Sequence, residues 1–289
     1  MVKINWSLAL SGGGPRGAAH VGVLKALEEN GLEPSSVTGT SAGSFVAGMV
    51  AEGFGADKMI KEVQFLADKG LMVIDPDIKG FIKSFPKIVM SKDISIEGIL
   101  KGKKMENYFR KVFGDKYLKE VNMPLVICAV DILSGKTIAL SNINKPQNKD
   151  ITWYSNLKLY EAVRASCSLP GIFIPKEIGD MTLVDGGLTY NLPFELNFCF
   201  GTGKVIAVDL GEKYSPPFMP SIADTLSSSF KIMQLKLKKG TKRDDLLILR
   251  PPLNESANLF CFSCMNESMN IGYEYAIKNM TRIKTFLET

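Results

Sequence analysis

An alternation of short apolar segments with longer helical ones is the feature that most constrains the fold of this chain. The short segments are rich in Val, Ile and Leu and predict strands at residues 4–10, 36–38, 124–132, 136–141, 204–210 and 245–249. Helices are predicted between or after them, at 17–29, 42–51, 56–67, 158–165, 222–237 and 266–286. Strands that are apolar along their whole length are typical of a parallel sheet covered on both faces. We therefore predict an α/β fold, a three-layer α/β/α sandwich with a mostly parallel central sheet.

The length and the start of the chain bear on its domain organisation and its location. A chain of 289 residues can form one large domain, and no internal repeat, low-complexity segment or long linker divides it. We expect a single domain over residues 1–289. The apolar run at 4–10 leads into glycines rather than into a cleavage site of small residues, which indicates a first strand and not a signal peptide. No apolar stretch reaches the roughly 18 residues of a transmembrane helix, so a cytoplasmic location is expected.

Charge and cysteine content argue against two other classes of protein. The net charge of +5 is spread thinly, whereas nucleic-acid sites need clustered Lys and Arg with aromatic residues between them, so no nucleic-acid partner is expected. The five cysteines are scattered, and the one C-x-x-C pair, Cys261 and Cys264, has no second pair to complete a zinc site. These cysteines are therefore interpreted as reduced structural thiols rather than as a zinc or redox site.

A glycine-rich loop at residues 11–17, Ser-Gly-Gly-Gly-Pro-Arg-Gly, connects the first strand to the first helix. It matches the dinucleotide-binding pattern G-x-G-x-x-G, which would make the chain a nucleotide-dependent oxidoreductase. That interpretation requires an acidic residue at the end of the second strand to hold a ribose, and the second strand ends in Val-Thr-Gly. The missing carboxylate disfavours a dinucleotide site.

The same loop also fits an anion-binding site. The consecutive glycines Gly12, Gly13 and Gly14 let backbone N–H groups point toward one centre, and the following helix adds the positive end of its dipole. Such a cradle holds either a phosphate or the oxyanion that forms when an ester is attacked. Arg16 would reinforce either function or brace the loop by ion pairing.

Residues 39–43, Gly-Thr-Ser-Ala-Gly, form the G-x-S-x-G pattern of a nucleophile elbow between a short strand and a helix. The sharp turn imposes strained backbone angles on the serine, and Gly39 and Gly43 remove side chains that would collide. Ser41 is then exposed at the helix N-terminus, where the N–H of Ala42 joins the glycine loop in binding an oxyanion. The pattern is short enough to arise by chance, so its strand–turn–helix context is what favours a nucleophilic serine.

A serine nucleophile needs a base, which is usually a histidine. The single histidine, His20, precedes Ser41, whereas in α/β-hydrolases the histidine follows the serine, so His20 is interpreted as structural. Asp185 supplies a carboxylate at the end of an apolar run, before Gly186 and Gly187, although Asp-Gly-Gly is also typical of a simple turn. A free aspartate with a pKa of about 3.9 is a poor base, so burial must raise its pKa.

Taken in order, these motifs resemble the patatin-like phospholipase family. The resemblance covers roughly residues 5–210 and rests on the glycine loop with the helix start His-Val-Gly-Val-Leu at 20–24, on G-x-S-x-G at 39–43 and on Asp-Gly-Gly at 185–187. It extends to Ala-Ser-Cys-Ser-Leu-Pro-Gly-Ile-Phe-Ile-Pro at 165–175 and to Asn191 and Pro193. In combination these motifs are highly specific, and no catalytic position departs from the family pattern.

The resemblance implies a patatin-like sandwich and a lipid acyl hydrolase, a phospholipase or lysophospholipase that acts on lipid acyl esters without a metal or other cofactor. It implies Ser41 as nucleophile and Asp185 as base of a Ser-Asp dyad, with the amides around Gly12, Gly13 and Gly14 as the oxyanion hole. Attack by the serine gives an acyl-enzyme, and water activated by the aspartate then releases the fatty acid. A general carboxylesterase or neutral lipase on the same dyad, and a non-catalytic lipid-binding protein, are the alternatives.

Access of a lipid substrate is expected to involve residues 70–104. Within them, segment 78–90 places Lys79, Lys83 and Lys87 four residues apart, with apolar residues largely elsewhere around a helix. Such a basic amphipathic segment fits a lid over the acyl pocket, a peripheral contact with an anionic membrane, or an ordinary surface helix. The sequence leaves open the head group, the acyl chain length, the ester position, any need for an activator, and the oligomeric state.

Overall fold

A computed structural model describes residues 5–76, 98–145, 149–211, 222–237, 243–253 and 261–289. Its strands are β1 Trp6–Leu10, β2 Ser36–Thr40, β3 Leu125–Asp131, β4 Thr137–Ser141, β5 Ile151–Tyr154, β6 Lys176–Ile178, β7 Met181–Asp185, β8 Lys204–Val208 and β9 Leu246–Leu249. Its α-helices are α1 Ala18–Glu29, α2 Ala42–Ala51, α3 Ala56–Lys69, α4 Lys103–Phe113, α5 Leu159–Ser166, α6 Phe194–Asn197, α7 Ile222–Leu237, α8 Met265–Lys278 and α9 Met280–Glu288.

The strands form one mixed, mostly parallel sheet. Their order is β5-β4-β3-β2-β1-β8-β9, and all neighbouring pairs in this order are parallel except β3 with β4. β7 also pairs with β3, and β6 pairs with β7, both in antiparallel fashion. The predicted α/β fold with a mostly parallel central sheet flanked by helices is confirmed.

Both faces of the sheet are covered, one by a large hydrophobic core and the other by two smaller clusters. Leu8 and Ile127 belong to the large core shared with α1, α2 and α5, whereas their neighbours Ala9 and Val126 face smaller clusters completed by residues 192–200. Successive side chains of a strand point to opposite faces, so β1 and β3 must be apolar along their whole length to fill both layers. This double burial is the physical origin of the continuous apolar runs in the sequence.

The helix predicted at 266–286 is wrong as one continuous element, because it is interrupted at Asn279 between α8 and α9. The side-chain amide of Asn279 donates to the carbonyl oxygen of Tyr275 at 2.8 Å. An asparagine that bonds the backbone of the preceding turn competes with the helical hydrogen-bond pattern, which explains the break.

The predicted lid or membrane segment 78–90, with Lys79, Lys83 and Lys87, lies outside the described residues. The described residues on its two sides are joined, because Leu100 forms β-bridges with Pro76 and with Phe173. Across the described part of the chain, we find no helix with the length and apolarity needed to span a bilayer.

Helices α1 and α8 pack backbone to backbone through two glycines. A Cβ on Gly22 would lie 2.7 Å from the backbone nitrogen of Tyr273, and one on Gly272 would lie 2.9 Å from the Cα of Ala19. Side-chain carbons do not approach backbone atoms so closely, so any larger residue would separate the helices. Through this contact α8 fixes α1 and the short turn Gly14–Gly17 that precedes it.

We expect Gly272→Ala to destabilise the protein by about 1–3 kcal/mol, because the added methyl group overpacks the α1–α8 contact. In a helix without this close packing, the same change would stabilise the protein by up to about 1 kcal/mol. A loss of stability would therefore indicate the close packing. Urea denaturation measures the difference, with Gly203→Ala as the control, since a Cβ there meets nothing within 4 Å. Equal loss in both variants, or none in Gly272→Ala, would contradict the close packing.

Candidate active site

Strands β2 and β7 reach the same edge of β3 from opposite directions. The last residue of β2, Thr40, pairs with Cys128, and the last residue of β7, Asp185, pairs with Ala129. Since Cys128 and Ala129 are consecutive, the carboxyl ends of two strands meet head to head. Ser41 follows the first strand, so its side chain lies beside that of Asp185 at this junction. The register of the sheet therefore brings together two residues that are far apart in sequence.

Ser41 has the strained backbone of a nucleophile elbow. Its φ of 53° and ψ of −125° make it the only non-glycine residue with positive φ in the described parts of the chain. Such a conformation costs about 1–3 kcal/mol and persists only where neighbours enforce it. The N–H of Ser41 donates to the hydroxyl oxygen of Ser166 at 2.9 Å, and that hydroxyl donates to the carbonyl of Cys128 at 2.5 Å. Ser166 thus ties the strained turn to β3.

The glycines of the G-x-S-x-G pattern are required by the packing of α2. A Cβ on Gly43 would lie 2.5 Å from the carbonyl oxygen of Ser11, and a Cβ on Gly39 would lie 2.8 Å from the Cβ of Ala47. Both distances are well below van der Waals contact. Only glycines at these two positions allow α2 to begin directly after Ser41 and beside the glycine loop.

Burial shapes the electrostatics of Asp185. Its side chain is 5% exposed, and it accepts a hydrogen bond from the N–H of Gly187 at 2.8 Å. Burial raises the pKa of Asp185 to about 6, against the opposing effect of the hydrogen bonds from Gly187 and Ser41. The carboxylate is then ionised at neutral pH and is still basic enough to accept a serine proton. Burial supplies the rise in pKa on which the sequence-based hypothesis depends.

The glycine loop lies beside Ser41, but the N–H of Gly12, the first of the expected oxyanion donors, already makes a hydrogen bond within the protein. The N–H of Gly12 donates to the carbonyl oxygen of Asn191 at 3.0 Å, so Gly12 departs from its expected place in the oxyanion hole. Its contribution is steric instead, since a Cβ on Gly12 would lie 3.3 Å from the Cβ of Ser41. Asn191 thereby fixes the loop, and the missing side chain leaves room at the serine.

The other three expected donors remain available. Among the residues that the structure describes, none accepts a hydrogen bond from the amide of Gly13, Gly14 or Ala42. Gly17 brings the loop and α2 together, because a Cβ there would lie 2.6 Å from the Cβ of Ala42. The free amides of the loop and of the α2 N-terminus thus lie on neighbouring segments beside Ser41, and backbone amides of this kind can bind an anion.

His20 and Arg16 are buried behind the loop. His20 is fully buried, and its Nε2 hydrogen-bonds the carbonyl oxygen of Ser11 at 2.8 Å. Burial lowers the pKa of His20 to about 4, so the ring is neutral and Nε2 donates this bond. This bracing contact agrees with a structural role. Burial also lowers the pKa of the Arg16 guanidinium, which lies within electrostatic range of Cys264.

Sequence reasoning missed several residues that organise this site. Ser166 holds the backbone of Ser41, and the thiol of Cys167 lies 4.0 Å from the hydroxyl of Ser44 in the first turn of α2. Burial raises the pKa of Cys167 to about 12, so it remains a neutral thiol. Gln234 of α7 donates to the carbonyl of Gly187 at 3.3 Å. The segment 165–175 was recognisable as part of a family pattern, but nothing in that pattern assigns a contact to each serine or cysteine.

Comparison with known proteins places these motifs in a family context. The family model described as patatin-like phospholipase matches residues 8–198, more than half of the chain. An uncharacterised NTE family protein of Mycobacterium tuberculosis is 29% identical over 212 residues, which cover 73% of this chain and 50% of that protein. Lysophospholipase NTE1 of Debaryomyces hansenii is 25% identical over 301 residues, which cover 95% of this chain and 18% of that protein. The chain spans half or less of the length of these relatives.

A solved structure shares the fold. Human GIVD cytosolic phospholipase A2, in complex with methyl gamma-linolenyl fluorophosphonate, aligns with a TM-score of 0.52 and 10% sequence identity. The alignment covers 99% of this chain and 58% of that one. At this identity the likeness concerns the arrangement of helices and strands alone.

We expect Asp185→Asn to stabilise the protein at pH 8 and not near pH 4. The pKa of Asp185 is about 6 in the folded chain against 3.8 for an ordinary aspartate, so the folded state binds the proton more tightly. Stability therefore falls as pH rises between these two values, and the neutral amide escapes that loss. At about 1.4 kcal/mol per pKa unit, the gain at pH 8 is about 1–3 kcal/mol.

Denaturant unfolding at both pH values measures this effect. Asp131→Asn is the matched control: although burial raises the pKa of Asp131, hydrogen bonds from Ser134 and from the amide of Thr182 outweigh it and lower the pKa. That variant should lose stability at pH 8. An Asp185→Asn gain that is equal at both pH values would show that ionisation of Asp185 is not its cause.

Proposed function

Because the chain belongs to the patatin-like phospholipase family, we propose that it is a serine hydrolase of lipid acyl esters that works through a Ser41–Asp185 dyad. The observation that carries this proposal is the placement of a strained, elbow-type serine beside a buried aspartate whose pKa is raised to about 6. A nucleophile in hydrogen-bond contact with a base of matched pKa is the minimum requirement for covalent catalysis of ester cleavage.

In the first step Asp185 accepts the hydroxyl proton of Ser41 while the serine oxygen attacks the ester carbonyl carbon. The carbonyl oxygen becomes an oxyanion, and the amides of Gly13, Gly14 and Ala42 are the donors proposed to stabilise it. The tetrahedral intermediate then collapses, and Asp185 returns the proton to the departing alcohol oxygen. The product is an acyl-enzyme on Ser41 and a free alcohol, such as a lysolipid.

In the second step water takes the place of the alcohol. Asp185 removes a proton from the water as its oxygen attacks the acyl carbon, and the same amides hold the second oxyanion. Collapse breaks the bond to Ser41, which regains its proton from Asp185, and a fatty acid leaves. No metal ion or organic cofactor is needed for either step.

Within ester hydrolysis, phospholipids and lysophospholipids are the proposed substrates. The family description and the name of the Debaryomyces relative, a lysophospholipase, support this class. A general carboxylesterase or neutral lipase would use the same dyad, so product analysis has to separate them. A non-catalytic lipid-binding role is disfavoured by the contact between Ser41 and Asp185, which a mere binding protein does not require.

A peripheral membrane contact is proposed beside residues 77–97. Leu71 and Met72, which precede that segment, are 70% and 66% exposed, and Ile99 after it is 52% exposed. Asp75 joins the two sides, since its carboxylate accepts hydrogen bonds from the amides at 102–104. Exposed apolar side chains next to lysines at 103 and 104 suit an anionic lipid surface, where both apolar insertion and charge attraction contribute.

We expect Ser41→Ala and Asp185→Asn each to abolish hydrolysis of a p-nitrophenyl acyl ester, because one removes the nucleophile and the other the base. His20→Ala should keep appreciable activity, provided that it folds, since His20 only braces the loop. The loss in Asp185→Asn cannot come from unfolding if that variant is as stable as expected at pH 8. An active Asp185→Asn variant would overturn the dyad.

The substrate class is tested by incubation with a panel of phospholipids, lysophospholipids, triacylglycerols and simple acyl esters, followed by analysis of the products. Ser41→Ala is the blank for each substrate. Release of fatty acid from a phospholipid or lysophospholipid faster than from the other two classes supports the proposal. Preference for triacylglycerols or simple esters would assign a neutral lipase or a general esterase instead.

We expect the double variant Leu71→Ser, Met72→Ser to bind vesicles of anionic phospholipid about 10-fold more weakly, because two exposed apolar side chains no longer enter the bilayer surface. Its rate on a water-soluble short-chain ester should be unchanged. Sedimentation with vesicles measures binding, and Ile277→Ser, an exposed apolar residue of α8, is the control. Equal binding by the double variant and the control would overturn the proposed contact.

A further inference from the structure

Cys261 and Cys264 lie side by side at the start of α8, behind the glycine loop. They bracket the short turn Phe262–Cys264, and the N–H of Cys264 donates to the carbonyl oxygen of Cys261 at 3.2 Å. The thiol of Cys264 donates to the same carbonyl oxygen at 2.6 Å, and neither cysteine is part of a disulfide. The sequence predicts inert structural thiols, whereas this turn brings the two cysteines together at one end of α8.

The turn holds the two cysteines at a separation that suits a disulfide. A turn closed by a hydrogen bond from residue i+3 to residue i keeps the two Cα atoms within about 7 Å. Disulfides join Cα atoms about 4.4–6.8 Å apart. Since the turn from Cys261 to Cys264 is closed by such a hydrogen bond, rotation of the two side chains can join the sulfur atoms without a large movement of the backbone.

The surroundings shift the pKa values of the two thiols in opposite directions, which suits them to different steps of thiol–disulfide exchange. The adjacent side chain of Cys264 lowers the pKa of Cys261, against burial and the charge of Glu267, which oppose the effect. Burial raises the pKa of Cys264 to about 11, against the opposing charge of Arg16. The N-terminus of α8 adds a positive potential that favours a thiolate. Cys261 is therefore suited to attack, and Cys264 is suited to resolve the product.

We propose that Cys261 and Cys264 form a redox-active dithiol that low-molecular-weight disulfides oxidise, and that the glycine loop responds to its state through Arg16. The Cys261 thiolate attacks one sulfur of the external disulfide, whose S–S bond breaks and releases one thiolate. Cys264 then loses its proton to solvent and attacks the Cys261 sulfur of the mixed disulfide, which releases the second thiol. The protein dithiol gives up two electrons, and the external disulfide becomes two thiols.

One neighbour connects this dithiol to the glycine loop. Arg16, within the turn Gly14–Gly17, lies within electrostatic range of Cys264, and disulfide formation turns the Cys264 sulfur toward Cys261 and away from its reduced position. Phe262, between the cysteines, packs against the end of α3, where a Cβ on Gly70 would lie 2.7 Å from its Cε1. The turn is thus held on both sides, and a change in Cys264 is passed to Arg16 rather than absorbed. This second half of the proposal rests on the proposed function, whereas disulfide formation does not.

The test equilibrates the full chain with oxidised and reduced glutathione at several ratios, traps free thiols with a maleimide in denaturant, and measures the intact mass. We expect the loss of two alkylation sites, with a disulfide between Cys261 and Cys264 found by peptide mapping. Cys264→Ser should accumulate a mixed disulfide with glutathione at Cys261, since the resolving thiol is gone. Cys261→Ser should form neither species, and Cys199→Ser should oxidise as the parent protein does.

Ester hydrolysis by the oxidised and the reduced protein is compared in parallel, and we expect about a 10-fold lower rate after oxidation, restored by dithiothreitol and absent from Cys261→Ser. A dithiol that oxidises no more readily than Cys199 would overturn the redox site. A disulfide that forms without any change in a measurable rate would overturn the link to the loop. Absence of hydrolysis in every state would refute the proposed function, while the mass measurement would still decide the dithiol.

Discussion

The pairing of β3 with both β2 and β7 along one edge is the constraint on which the rest of the site depends. Two strands that approach from opposite directions must stop where they meet, and here they stop at Thr40 and Asp185. The chain leaves β2 by the sharp turn at Ser41, because β7 blocks its forward path. The same junction excludes water from Asp185. Position, backbone strain and burial of the two residues thus follow from one feature of the sheet.

The sequence predicts the fold more fully than it predicts the contacts within the site. Strands buried on both faces leave continuous apolar runs, so the α/β fold and most of its elements were readable from composition along the chain. The break at Asn279 was not, because an asparagine that bonds the preceding turn looks like any polar residue of a helix surface. Helix α4 was also missed, because its apolar residues Tyr108, Phe109 and Phe113 stand among lysines and arginines.

Local motifs predict several residues of the site, whereas its long-range contacts leave no pattern in the sequence. G-x-S-x-G predicts Ser41 because strain and close packing at a turn demand glycines nearby in sequence. Asp-Gly-Gly at 185–187 is ambiguous by itself and gained meaning only from the family resemblance. The use of the Gly12 amide by Asn191, and the support of Ser41 by Ser166, join distant segments that carry no shared pattern. Such contacts are set by sheet register, which a single sequence does not display.

The single histidine of the chain does not lie at this junction, and the raised pKa of Asp185 compensates for that. Because Asp185 lies beside Ser41 and the single histidine braces the glycine loop, the carboxylate itself would have to accept the proton. An ordinary aspartate is too weak a base by more than two pKa units relative to histidine, whose usual pKa is about 6.5. Burial at the meeting point of β2 and β7 brings the pKa of Asp185 to about 6, close to that of histidine. The sheet geometry that buries Asp185 therefore gives this carboxylate a basicity close to that of a histidine.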